Sequence, residues 1–180
     1  MRLFVGINPN ARMQEYVRER QKILAATPHA RLTPARHLHL TLAFVGEVEQ
    51  AVAEEISTKL QILKFIPFRM HLTRLNYFGP QHKPRVVWIG AEPQDMLCSL
   101  KQRIHHCLEG YLPAAPPPFK AHITLARIKQ IRATDKFTRF LSSMEIEPLG
   151  MQVDNLSLMA SDLSGPEPVY TEITRIPPQA

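Results

Sequence analysis

The chain predicts an α+β fold of largely antiparallel sheet, and three observations lead there. Read for hydrophobic period it runs β-α-β-α-β-β-α-β-α-β-β, with adjacent strand pairs between single helices rather than a regular βαβ series. The pattern β-α-β-α-β-β is roughly repeated past the middle without a fixed-period tandem repeat, which points to a distant duplication. Two tetrapeptides of one type, His39-Leu40-Thr41-Leu42 and His122-Ile123-Thr124-Leu125, occupy equivalent places in the two halves.

Each element has its own signal. Arg2 to Ile7 is a short β-rich run, and Asn8-Pro9-Asn10 is a turn or helix start. Ala11 to Ala26 carries Met13, Tyr16, Val17, Ile23 and Leu24 among charges, the stripe of an amphipathic helix. Thr33-Pro34 breaks the chain before a strand at Leu38 to Val45, which Gly46-Glu47 ends. Gln50 to Leu63 is a second helix, with Val52, Ile56, Leu60 and Leu63 on one face. Phe65 to Phe78 and Arg85 to Ile89 are strands joined by the loop Gly79 to Pro84. Pro93 to Glu109 is a third helix, whose first turn suits Pro93 and whose Met96, Leu97, Leu100, Ile104 and Leu108 recur at helical spacing. Leu112 to Pro118 is a stiff, proline-dense connection. A strand at Phe119 to Ile128, a short helix around Thr134 to Ser143, and strands at Gly150 to Met159 and Val169 to Ile176 complete the chain.

Composition narrows the classes of function. The 180 residues suit one domain, 1–180, of two intertwined lobes. At 44% hydrophobic and 21% charged, the chain is neither disordered nor a membrane protein, and no apolar run approaches the roughly 20 residues of a span. A net charge of +6 favours phosphate-bearing partners. The start lacks the pattern of a signal peptide, and Cys98 and Cys107 lie nine positions apart on a predicted helix, out of disulfide reach. A reducing cytoplasm is the expected location, and no obligate protein partner is evident.

The two His-apolar-Thr-apolar motifs carry the chemistry. At period two, His39 and Thr41 share one strand face, as do His122 and Thr124, while Leu38, Leu40, Leu42 and Phe44 take the other. Each strand then sets an imidazole, which titrates near neutrality, beside a hydroxyl that can hold a phosphate oxygen. Chance supplies only ~0.1 copy of such a pattern in a chain of this composition. By spacing alone the two histidines are interchangeable as acid and base.

These blocks, with Arg2 to Ile7, Leu38 to Glu47 (LHLTLAFVGE), Pro84 to Ile89 (PRVVWI) and His122 to Arg127 (HITLAR), resemble the 2H phosphoesterase superfamily. Within it the chain is most similar to the bacterial RNA 2′,3′-cyclic phosphodiesterases, also called 2′-5′ RNA ligases. The resemblance implies two pseudo-symmetric lobes of antiparallel sheet flanked by helices, with one motif facing a central cleft from each lobe. It also implies hydrolysis of an RNA 2′,3′-cyclic phosphate to a 2′-phosphate, with reverse joining as an accompanying activity. His39 would be the proton donor and His122 the proton acceptor, with Thr41 and Thr124 on the non-bridging oxygens. A small cyclic nucleotide or ADP-ribose cyclic phosphate is the alternative substrate, and a non-catalytic module binding RNA ends is the alternative of another class.

Further residues have two readings each. Arg127 matches a family position for phosphate binding, yet strict alternation turns it away from His122. Phe44 is a candidate base-stacking residue that alternation assigns to the core. His37 shares a strand face with His39 and reads either as lining the cleft edge or, in preference, as an exposed strand-start histidine; His105 and His106 read as a solvated helix face, and His71-Leu72-Thr73-Arg74 as an incomplete motif on an ordinary strand. No Gly-x-Gly occurs, and no His/Cys/Asp/Glu spacing completes a metal site. The expected reaction uses neither metal nor cofactor, with a bell-shaped pH profile around neutrality.

Overall fold

The computed structural model describes residues 1–25, 29–80, 83–113, 118–131, 134–165 and 168–179. The Ala26 end of the first helix, Gln81 and His82 in the Gly79 to Pro84 loop, and residues 114–117 of the proline-dense connection lie outside them.

The elements run β1 (Arg2–Ile7), α1 (Ala11–Ala25), β2 (Ala30–Leu32), a 3-10 turn (Ala35–His37), β3 (Leu40–Glu47), α2 (Gln50–Gln61), β4 (Phe68–Phe78) and β5 (Val86–Glu92). They continue with α3 (Gln94–Cys107), β6 (His122–Ile128), α4 (Thr134–Ser143), β7 (Gly150–Val153), β8 (Leu156–Asp162) and β9 (Val169–Ile176). The architecture is α+β, and every strand pairing among the described residues is antiparallel. Asn10 starts α1 by accepting the Met13 N–H on its side chain at 2.9 Å, as the Asn-Pro-Asn signal predicts.

Two expectations need correction. Gly150 to Met159 is two strands, because Asp154-Asn155 turns the chain, with the Asn155 amide on the Asp154 carboxylate at 2.7 Å. After that turn β8 pairs with β1, whereas β7 pairs with β4. The short strand β2, hidden between the first helix and Thr33-Pro34, pairs with β6.

Strand order is β7-β4-β5-β6-β3-β1-β8-β9. The path β1-α1-β3-α2 is answered by β5-α3-β6-α4, and the two motif strands, β3 and β6, are neighbours at the centre. They meet at one bridging pair, Leu40 and Ile123, so the halves splay apart on either side of it. Both of those side chains are fully buried, which contributes roughly 1.5–3 kcal/mol apiece.

The helices pack against the sheet through Met13, Val17 and Leu24 on α1, Ile56 and Leu60 on α2, and Leu97, Leu100 and Ile104 on α3, as predicted, whereas Ala53 is buried in place of the half-buried Val52 and Ile23 is exposed. Met96, expected in the α3 stripe, is instead exposed at its edge. Gly6 faces Thr41 across the β1–β3 ladder, where a Cβ would stand 2.8 Å from the Leu40 carbonyl oxygen. Only glycine lets β1 approach the first motif so closely.

Candidate active site

Both motifs place their imidazole by the same local device. The 3-10 turn Ala35–His37 carries the chain into Leu38 and His39, and His39 stands one residue before β3 begins. Its Nδ1 lies 2.7 Å from the His37 carbonyl oxygen. His122 opens β6, and its Nδ1 lies 2.7 Å from the Lys120 carbonyl oxygen. A carbonyl only accepts, so each Nδ1 carries the hydrogen and each Nε2 is left for a ligand.

The next residues show why strict alternation fails. Along β1–β3, Gly6 pairs with Thr41 but Val5 with Ala43, so Leu42 is an extra residue. Along β5–β6, Trp88 pairs with Thr124 but Val87 with Ala126, so Leu125 is the extra residue. A β-bulge thus sits at the same place in both motifs and turns the fifth residue after each histidine back to the histidine's face. Two expectations change as a result. Arg127 shares the cleft with His122, and Phe44, expected in the core, is 60% exposed there.

His39, Thr41, Phe44, His122, Thr124 and Arg127 all line one cavity of about 850 Å³. Aromatic rings support both imidazoles. Phe4 lies 4.6 Å from His39 and Tyr170 5.4 Å from it, between ring centroids. Phe78 and Trp88 lie 4.9 and 5.7 Å from His122. Sequence reading missed Tyr170, which reaches the site from β9 with no local signal. Phe4, Phe78 and Trp88 sat in predicted strands whose neighbours were unknown.

Three histidine readings are settled by position. His37 is only 5% exposed, because the 3-10 turn folds its ring against Tyr170 at 4.6 Å; it is not the exposed strand-start residue expected. His105 lines the cavity from α3, contrary to expectation, while His106 is exposed as predicted. His71 lies on β4, outside the cavity lining, with Nε2 3.6 Å from Glu92.

The electrostatics favour an anion. Arg2, Lys101, Lys120 and Arg127 line the cavity, and no Asp or Glu does so among the described residues. Burial, with the nearby positive groups His122, His37 and Arg127, holds His39 below the usual imidazole value of 6.5, although its bond to the His37 carbonyl works the other way. His122 is likewise held down by burial and by Arg127, against its bond to the Lys120 carbonyl. Among the described residues no group of three or more His, Cys, Asp or Glu side chains could hold a metal ion. Cys98 and Cys107 are both free. No helix is long and apolar enough to cross a membrane, among the described residues.

A profile of the 2'-5' RNA ligase superfamily matches residues 9–165. The chain belongs to this family. Its resemblance to the 2H phosphoesterases, carried by the two motifs, is thereby borne out. Among its relatives is the RNA 2',3'-cyclic phosphodiesterase of Archaeoglobus fulgidus, 29% identical over 174 residues, spanning 96% of this chain and 98% of the relative. The enzyme of the same name from Aeropyrum pernix is 32% identical over 144 residues, 78% of this chain and 81% of the relative. Two solved structures share the fold. TT0787 of Thermus thermophilus has a TM-score of 0.79 and 27% identity over 98% of this chain and 97% of that one. Apo LigT of E. coli has a TM-score of 0.77 and 25% identity over 99% and 98%.

Proposed function

We propose that this protein is a phosphodiester hydrolase that opens RNA 2′,3′-cyclic phosphate ends to 2′-phosphates by acid–base catalysis between His39 and His122. Family membership and the curated relatives support the hydrolase class. The observation that carries the mechanism is the matched pair of bonds from Nδ1 to the His37 and Lys120 carbonyls, which leaves one Nε2 per lobe for proton transfer.

The cyclic phosphate lies between the lobes. His122 Nε2 takes a proton from water as its oxygen attacks phosphorus, and His39 Nε2 gives a proton to the departing 3′-oxygen. The Thr41 and Thr124 hydroxyls and the Arg127 guanidinium hold the non-bridging oxygens, whose negative charge is what the transition state must stabilise. Phe44 offers an exposed face to the terminal base. In the free enzyme both rings are largely neutral at pH 7, since both are held below 6.5. The negative phosphate restores the imidazolium that the donor needs. The kcat/KM optimum therefore falls on the acid side of 6.5 rather than around neutrality, because kcat/KM reports the free enzyme. With a 5′-hydroxyl in place of water as the attacking group, the same step breaks the bond from phosphorus to the 3′-oxygen and joins the cyclic-phosphate end to the 5′-oxygen through a 2′-5′ linkage. No step calls for a metal.

The test is turnover of an oligonucleotide ending in 2′,3′-cyclic phosphate, with EDTA present, by wild type, His39→Ala and His122→Ala. Both variants are expected to lose at least 100-fold, in line with the usual contribution of a positioned acid or base, about 10²–10⁴-fold. The wild-type product is expected to be the 2′-phosphate. Near-wild-type turnover by either variant, or a 3′-phosphate product, defeats the mechanism.

A further inference from the structure

We propose that Lys101 and Lys120 form a subsite for the phosphodiester backbone on the 5′ side of the reacting nucleotide, so that the cleft takes polynucleotide ends in preference to mononucleotides. The inference rests on the hydrolase reading above and specifies its substrate class. Both lysines line the cavity, Lys101 from α3 and Lys120 from the segment leading into β6. Each ammonium is held over an aromatic ring: Lys101 Nζ lies 5.0 Å from the centroid of Phe119, and Lys120 Nζ 5.3 Å from that of Trp88.

These contacts set both cations on the His122 side of the cavity. Phe119 precedes Lys120 in the chain, and the buried Trp88 ring beneath Lys120 lies 5.7 Å from that of His122. Two cations on one side of the reacting imidazole suit the successive phosphates of a single strand. A ring orients a lysine without neutralising it. Among the described residues no carboxylate pairs with either lysine. His105 beside Lys101 is held away from its charged form first by burial and then by that ammonium. A cyclic phosphate alone uses the histidines, threonines and Arg127, and leaves both lysines idle. A longer strand has further phosphates to bring to them.

The experiment compares kcat and KM on a tetranucleotide ending in 2′,3′-cyclic phosphate with those on a nucleoside 2′,3′-cyclic phosphate. The proteins are wild type, Lys101→Ala, Lys120→Ala and the double variant; Lys120→Ala keeps the backbone carbonyl that holds His122. Wild type is expected to prefer the tetranucleotide. The double variant is expected to raise KM for it roughly 10-fold or more, and to lower the salt slope of that KM by about 1.4, at ~0.7 per lost contact on a single strand. On the nucleoside the kcat/KM of Lys101→Ala is expected to stay within about 3-fold, and the urea-unfolding midpoint shows whether the Lys120 variants fold. Equal loss on both substrates, or none on the tetranucleotide, overturns the subsite and leaves the hydrolase standing. Wild type that turns over neither substrate overturns the hydrolase reading and the subsite with it.

Discussion

Arg127 tests the bulged site most directly, because its guanidinium is given two separable jobs. One is a charge-assisted hydrogen bond to the phosphate, worth about 1.5–3 kcal/mol. At 1.36 kcal/mol per decade, Arg127→Gln should lower kcat/KM roughly 10- to 150-fold. The other job is electrostatic: the positive charge disfavours the protonated form of both His39 and His122 and helps hold each below 6.5. Burial is the larger cause and stays, so removing this charge lets both rings rise only part of the way, and the bell of kcat/KM against pH is expected to move modestly to the alkaline side. Arg127→Lys keeps the charge but not the planar fork, so it should lose rate while the bell stays near its wild-type position. The assay is kcat/KM from about pH 4.5 to 8.5, in steps of about half a unit, on one cyclic-phosphate substrate for all three proteins. An Arg127→Gln profile that keeps the wild-type position or moves to acid would falsify the electrostatic argument. Activity within about 2-fold of wild type would return Arg127 to the ordinary surface.

Two further outcomes follow from the same geometry. Phe44→Ala should raise KM for an RNA end about 5- to 150-fold, the range for a stacked base at about 1–3 kcal/mol, with kcat little changed and Phe44→Tyr near wild type; an unchanged KM removes the base from that face. Gln21, only 3% exposed on α1, donates from Nε2 to the carbonyls of Thr33 at 2.7 Å and Leu125 at 2.8 Å, tying the approach to the first motif to the second motif strand. Leu125's carbonyl keeps the Thr33 N–H at 2.8 Å, so Gln21→Leu orphans the Thr33 carbonyl and should cost about 1–3 kcal/mol in urea unfolding, and a cost below about 0.5 kcal/mol would mean the tie is not structural.

The sequence disclosed what depends on local period and missed what depends on pairing. Helix stripes and strand runs recur where they were expected, because apolar spacing alone decides them. The turn at Asp154-Asn155 was overlooked because apolar residues continue on both sides of it, although the two strands it separates join opposite halves of the sheet. Tyr170 and His37 meet only once β9 and the 3-10 turn are folded together, 133 positions apart in the chain by subtraction of their numbers. The bulges did leave a trace. Leu42-Ala43 and Leu125-Ala126 are consecutive apolar pairs where alternation calls for a polar residue, and all four side chains are buried.

Those equivalent bulges separate what is shared between the lobes from what differs. Each motif supplies an imidazole on a backbone carbonyl, a hydroxyl two residues on, and a fifth residue returned to the cleft. The imidazole and the hydroxyl match in chemistry, so on the proposed mechanism either histidine has the groups that an acid or a base needs. The fifth residue does not match: Phe44 in one lobe, Arg127 in the other. An aromatic face takes a base and a guanidinium takes a phosphate, so on the proposed mechanism this unmatched pair favours one way for a nucleotide to lie between the halves. It contributes, with the lysines on the His122 side, to the orientation that decides which ribose oxygen leaves.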